Sequence, residues 1–363
     1  MKYTLQVTLT IFVGVLFFGL NGFAQKSSDI KYYPSSNFTM VGKIMDTDKP
    51  FHRIDTAKYS NIPEHIKTRL TRSAGLAISF KTNSKSIHAK WCTTSKYPSS
   101  GMTPIAFRGL DLYTKINGKW QFAGVGRPKS GENSSEGKLV ANLNGEQREY
   151  LLYLPVYSET TSLEIGVENT AKITAGDQPF NKRILVYGSS IVQGAGASRP
   201  GMAYTSRMSR NTGFNFLNLG MSGVARMEKE VANMVADIEA DVYLLDCIPN
   251  SSPKEITQRT GNLIKTIRSK NPNAPIILMQ SVVREIGFVD EKTGEKVKMQ
   301  NKNAYDEFMK LHQSGMKNIY FIFGNDFLGD DHEGTVDGTH PNDLGFDRMI
   351  KAITPQILPI INQ

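Results

Sequence analysis

The chain has 363 residues, 39% hydrophobic and 21% charged, with a formal charge of +9. That length predicts two domains, each with its own core, and that composition excludes wholesale disorder. The basic residues are scattered among acids with no run of five like charges, which argues against a nucleic-acid partner and leaves a mildly basic surface suited to anionic glycans or membrane surfaces.

The chain opens with Lys2, an apolar stretch over 5–20, and the small-residue triplet Gly22-Phe23-Ala24 ahead of Gln25. This order predicts a signal peptide over 1–24 and a mature protein that is exported, periplasmic or secreted. An uncleaved anchor is the alternative, but the run is short for a membrane span. No cysteine follows the cleavage position, so no lipid anchor is expected, and no later run is long and apolar enough to cross a bilayer.

From 25 to 175 the texture is that of short alternating segments, at 76–80, 86–91, 110–116, 120–125, 149–154 and 162–167. Asn117-Gly118 and Asn144-Gly145 favour tight hairpin turns between them. The pattern predicts an antiparallel β-sandwich module. Residues 171–182 carry Gly, Pro, Asp and Asn without apolar periodicity and suit a linker. The two cysteines, Cys92 and Cys247, exclude a disulfide-dense scaffold and a Cys-rich zinc site. Cys247, at the end of an apolar run, is expected as a buried free thiol.

From 182 to 363 the period changes. Apolar strand-like runs at 184–187, 214–219, 242–245, 276–279 and 319–323 alternate with helix-period segments near 202–211, 226–240, 253–270, 300–314 and 342–357. Such alternation predicts an α/β domain, a parallel sheet covered on both faces, with its chemistry where strands end and helices begin.

Four strand ends or loops carry reactive residue types. The first strand runs into Gly188-Ser189-Ser190-Ile191, a serine at a tight turn into a helix, exposed and flanked by backbone N–H groups; simple helix capping competes. The second ends in Asn218-Leu219-Gly220, whose glycine permits close backbone approach. The third ends in Ile248-Pro249-Asn250, which offers a side-chain amide donor. Near the C-terminus, Asp337-Gly338-Thr339-His340 places a carboxylate three residues before a histidine, so that it can orient the imidazole as general base. The neighbouring Asp330, Asp331, His332 and Glu333 lack the spaced histidines of a zinc site and are expected as a solvated loop.

Taken in order, these residues make 184–357 resemble the SGNH, or GDSL-like, hydrolases, whose four blocks supply Ser190, Gly220, Asn250 and His340. The resemblance implies a flavodoxin-like three-layer α/β/α fold, a Ser190–His340–Asp337 triad, and an oxyanion hole from Ser190, Gly220 and Asn250. Two blocks depart from the family pattern. Gly-Asp-Ser-Leu is Gly188-Ser189-Ser190-Ile191, and Gly-x-Asn-Asp is Ile248-Pro249-Asn250-Ser251. In the first half, Gly109-Leu110-Asp111-Leu112-Tyr113 resembles the Gly-x-Asp-Leu-Tyr signature of a β-rich module that precedes this hydrolase subgroup, an arrangement like that of exported esterases of glycan-degrading bacteria. By alternation, Leu110 and Leu112 face inward while Asp111 and Tyr113 face the other side. Trp91, Trp120 and Tyr113 are candidates for sugar stacking or, more simply, core aromatics.

The expected activity is hydrolysis of a short acyl ester, acetyl above all, on a carbohydrate, a chemistry that needs no cofactor or metal. A lipase, lysophospholipase or thioesterase would use the same triad, with apolar residues 286–289 lining an acyl groove. A glycan-binding protein with a decayed hydrolase domain is the alternative from another class.

Overall fold

The computed structural model describes residues 29–282, 284–324 and 327–363; the expected signal peptide lies outside them. Among these residues, no helix is long and apolar enough to cross a membrane.

The first half forms two antiparallel sheets. One has the spatial order Ile30–Pro34, Thr160–Glu168, Ile87–Thr93, Ser134–Val140. The other runs Ile173–Ala175, Ala77–Thr82, Arg148–Tyr153, Leu110–Ile116, Lys119–Gly126, with Thr39–Val41 also on Ala77–Thr82. Their facing side chains make one core: Ile87, Ala89, Trp91, Leu163 and Ile165 pack against Ile78, Phe80, Leu110, Leu112 and Leu152. This is the expected sandwich.

The turn residues part company. Asn117 and Gly118 both have positive φ, 50° and 76°, and close a two-residue hairpin between Ile116 and Lys119. Asn144-Gly145 makes a tight turn, with the Asn144 side chain accepting from the Glu146 N–H at 3.2 Å, but the strands on either side belong to different sheets. It is a crossing between layers, not a hairpin. The 171–182 stretch is not wholly irregular: Ile173–Ala175 pairs with Ala77–Thr82, and Asn181 already begins the next strand.

The second half is a five-stranded parallel sheet in the order Phe214–Gly220, Asn181–Gly188, Val242–Asp246, Ile276–Met279, Ile319–Ile322. Successive residues of each strand enter opposite cores, as a sheet covered on both faces requires. Leu185, Leu217, Leu245 and Leu278 meet the helices Lys229–Asp237, Pro253–Lys270 and Glu291–Gln313. Ile184, Val186, Leu244 and Ile277 meet Tyr204–Thr212 and Asp343–Ile361. The helix expected from 300 starts at Glu291, because Asp290 caps it by accepting from the Thr293 N–H at 3.2 Å.

Two of the contacts that join the halves stand out. Residues from the first half (Ile44, Ile54, Tyr59, Ile62, Ile66 and Leu70) enter the core of the second, alongside Leu217 and Leu219. They include the helix Glu64–Leu70, whose isolated apolar residues carry too little periodicity to announce it. The other contact is the outer face of the strand Leu110–Ile116. Asp111 is fully buried, and both its carboxylate oxygens accept from Arg199 Nη1, at 3.0 and 2.9 Å. It also accepts from the Gly201 N–H at 2.9 Å, while Tyr113 Oη lies 2.5 Å from the same Arg199 nitrogen. Burial alone would lower the Arg199 pKa, but the Asp111 charge and Tyr113 outweigh it and raise it. The signature's polar residues therefore join the two units. Trp91 is a core residue with its N–H on the Arg108 carbonyl at 3.0 Å, Tyr113 is buried, and Trp120 is half-buried beside Lys115.

Candidate active site

The strand Asn181–Gly188 lies between Phe214–Gly220 and Val242–Asp246; the connection that leaves it goes to Phe214–Gly220 on one side, and the one that leaves Val242–Asp246 goes to Ile276–Met279 on the other, the switch point at which such sheets place their sites. Gly188 fits where no other residue would, since a Cβ would overlap the Asp246 carbonyl. The chain then turns into the short helix Ser190–Gln193. Ser189 is its cap, accepting from the Ile191 N–H at 3.2 Å. That leaves the Ser190 hydroxyl for other work, with the residue 8% exposed.

Ser190 Oγ lies 2.8 Å from His340 Nε2. On the other side of the ring, His340 Nδ1 lies 2.8 Å from Asp337 Oδ2. Asp337 Oδ1 accepts the backbone N–H groups of Thr339 and His340, at 3.0 and 2.8 Å. Partial burial pushes the Asp337 carboxyl up, but the backbone and ring hydrogen bonds from His340 and the adjacent charge outweigh it and hold the carboxyl below its usual range. The loop is rigidly built. Gly338 turns at φ 79° and donates to Thr335 Oγ1, Val336 N–H bonds the His340 carbonyl at 2.8 Å, and Asn342 caps the following helix. The structure thus brings Ser190, His340 and Asp337 into one hydrogen-bonded line.

Gly220 sits against the same short helix, where a Cβ would overlap the backbone nitrogen of Gln193. Its N–H donates to Asn218 Oδ1 at 3.0 Å, so an oxyanion would have to share that proton in a three-centre bond. Asn250 is half-buried, and its Oδ1 is enclosed with no hydrogen-bond partner among the described residues. Where the family pattern has Asp after this Asn, Ser251 stands. The turn is instead held by Gln300, which donates to the Ser251 carbonyl at 2.5 Å, and by Arg284, which donates to the Pro249 carbonyl at 2.7 Å.

Several supporting residues gave no sequence signal. Arg53 is fully buried and donates from Nη1 to the carbonyls of Asn218 and Gly220, each at 2.9 Å, from Nε to that of Arg72 at 2.8 Å, and from Nη2 to that of Arg69. Burial pushes its pKa down to about 9, helped by Arg72. Gln193 ties the Val156 carbonyl (2.9 Å) to the Ser222 N–H (3.0 Å). Asp246, at the end of the central strand, is buried and receives the Tyr204 hydroxyl at 3.0 Å. Burial raises its carboxyl to about 8 despite that bond.

The acidic loop beyond the sheet is engaged locally: Asp331 pairs with Arg348 through two bonds of 2.5 and 2.6 Å, and His332 Nδ1 lies 2.8 Å from Glu285 Oε2. Cys247 is a buried free thiol, pushed up by burial, and Cys92 is half-buried and free.

Known proteins show the same pairing of parts. The profile of the GDSL-like lipase/acylhydrolase family matches residues 181–358, and that of the N-terminal GxDLY region of SGNH-hydrolase-type esterases matches 30–173. A Bacteroides ovatus protein described as a GDSL-like lipase is 54% identical, with 92% of this chain and 98% of that chain covered and a TM-score of 0.90. A salicylyl-acyltransferase of a tetracycline biosynthetic pathway is 19% identical over 91% of this chain and 99% of its own, with a TM-score of 0.72. A family two carbohydrate esterase from Cellvibrio japonicus is 12% identical over 92% and 99%, with a TM-score of 0.61. These last two share the fold. No curated protein matches the chain significantly.

Proposed function

From the premise that the chain belongs to the GDSL-like lipase/acylhydrolase family and is a carboxylic ester hydrolase, we propose that it removes short acyl groups, acetyl above all, from carbohydrates outside the cytoplasm. The single observation that carries this reading is the line Ser190–His340–Asp337, with both links at 2.8 Å. Ser190 Oγ attacks the ester carbonyl as His340 Nε2 takes its proton. Asp337 keeps the Nδ1 proton in place and stabilises the imidazolium. The N–H groups of Ser190 and Gly220 and the Asn250 side-chain amide donate to the tetrahedral oxyanion. His340 returns its proton to the leaving alcohol; water then attacks the acyl-serine by the same route and releases the acid. Export rests on the leader-like residues 1–24.

A second reading has its own observation. Ile286, Phe288, Val289 and Val336 are all exposed, and the Ile286 N–H bonds the Gly338 carbonyl at 3.2 Å, within the loop that carries His340. An apolar rim beside the histidine favours a longer acyl chain, as in a lipase or thioesterase.

Release of acetate, butyrate and octanoate from nitrophenyl esters, beside Ser190→Ala, tests both. Fast acetate release lost in the variant supports the short-acyl reading, and faster octanoate release replaces it with the second. Activity surviving in Ser190→Ala defeats the serine mechanism.

A further inference from the structure

Arg53, Arg69 and Arg72 gather at the loop that follows Gly220. Arg53 is committed to backbone carbonyls behind it. Arg69 donates from Nε to the Ser222 carbonyl at 3.3 Å. Arg72 is half-buried, its guanidinium 5.0 Å from the centre of the Tyr157 ring, and it donates no side-chain hydrogen bond to any described residue. Among the described residues none of the three has a carboxylate partner. Three guanidinium groups held together with no carboxylate partner among the described residues repel one another. Burial first, then the Arg69 charge, lowers the Arg72 pKa to about 10, with Tyr157 alone acting the other way.

The cluster is linked to the segments that carry Gly220 and Ser190. Ser222 is two residues past Gly220, and its N–H bonds Gln193, three residues after Ser190. Gln193 in turn holds the Val156 carbonyl, next to Tyr157. A guanidinium laid over an aromatic face with its donors unused is a preorganised fork for a carboxylate.

We propose that Arg72, stacked on Tyr157 and flanked by Arg69, is a subsite for the carboxylate of an acidic sugar, so that the alcohol part of the preferred ester is a uronic acid. This rests on the esterase reading above and adds the class of sugar. The fork would hold the uronate while its acylated hydroxyl lies at Ser190. Residues of the first half of the chain thereby select the substrate, and the second half supplies the hydrolytic chemistry.

The test uses the full chain with nitrophenyl acetate as reporter. Glucuronate should compete at least about tenfold better than glucose, and Arg72→Gln should erase that difference, as loss of a charge-assisted bidentate bond requires. The kcat/KM ratio of acetylated polygalacturonate to acetylated xylan should fall about tenfold in the same variant, chiefly through KM, with Arg72→Lys between the two. Equal competition by glucuronate and glucose in the unmodified protein, or an equal loss on both polymers in Arg72→Gln, overturns the subsite. So does competition by acetate as strong as by glucuronate, which would make it a site for the released acid. An unmodified protein inactive on nitrophenyl acetate would instead refute the esterase reading itself.

Discussion

Arg53 Nη1 and the Gly220 carbonyl oxygen are 167 residues apart in the chain and 2.9 Å apart in the fold. The same nitrogen reaches the Asn218 carbonyl, so one buried cation clamps the strand end that carries Gly220. Removing it strands several carbonyls in a place water does not reach. Arg53→Leu should therefore cost about 3 kcal/mol or more, read as a lower urea midpoint, and should slow ester turnover in whatever protein remains folded. A midpoint unchanged from that of the unmodified protein would remove the clamp from the account.

Gly220 tests geometry without charge. Its position has no room for a methyl group against Gln193, so Gly220→Ala must push the short helix bearing Ser190. We expect turnover of nitrophenyl acetate to fall by about 10²–10³, the scale of a lost oxyanion donor, with a smaller change in KM. Unchanged turnover would show that the helix can move without consequence.

Asp337→Asn replaces the carboxylate with a side chain of the same size and removes the charge that the proposed mechanism sets beside the imidazolium. Its kcat should drop by about 10⁴, while a fluorophosphonate probe still labels Ser190 slowly. A drop below tenfold would mean that His340 is oriented by something else.

Asp246 makes a pH prediction. Its carboxyl is raised to about 8 in the fold by burial, so between the ordinary carboxylate range and pH 8 the folded chain holds a proton that the unfolded chain has released. This group's contribution to stability is greatest at low pH, declines as pH rises through that window, and levels off above about 8. Asp246→Asn mimics the neutral acid and should flatten that decline, seen as a Tm that changes less from pH 5 to 8 than in the unmodified protein. An unaltered pH profile would mean that Asp246 is charged in the fold.

Asp111→Ala leaves Arg199 facing a buried gap between the halves. Loss of a partner in a buried pair costs about 3–5 kcal/mol, and the segment between residues 171 and 181 should become more open to proteolysis. Denaturation and limited trypsin digestion together check this, and a variant as stable and resistant as the parent would contradict it.

Much of this architecture was legible in the sequence because periodicity is a local property. Ile184, Val186 and their neighbours form an unbroken apolar run, which only a sheet covered on both faces buries. Ser190 and His340 stood out because reactive residue types fell at strand ends and loops in a known order. Other elements have no local trace. The strand Ser134–Val140, with sequence SSEGKLV, lacks alternation and is defined by its pairing with Ile87–Thr93. Arg53 lies in irregular chain, and Gln300 is one polar residue in a long amphipathic helix; both matter through what folds onto them. The Asn144-Gly145 turn was recognisable as a turn, but which sheets it connects depends on long-range pairing.

The insertion of Ile54, Ile62, Ile66 and Leu70 into the core of the second half also bears on synthesis. These side chains leave the ribosome long before Leu217, Val231 and Ile256, the residues that will enclose them. Throughout that interval the nascent chain carries an apolar stretch whose cover does not yet exist, a sticky surface of the kind that holding chaperones engage. The catalytic half, for its part, cannot be cut out as a shorter enzyme by starting near residue 181, because it would leave behind part of its own interior.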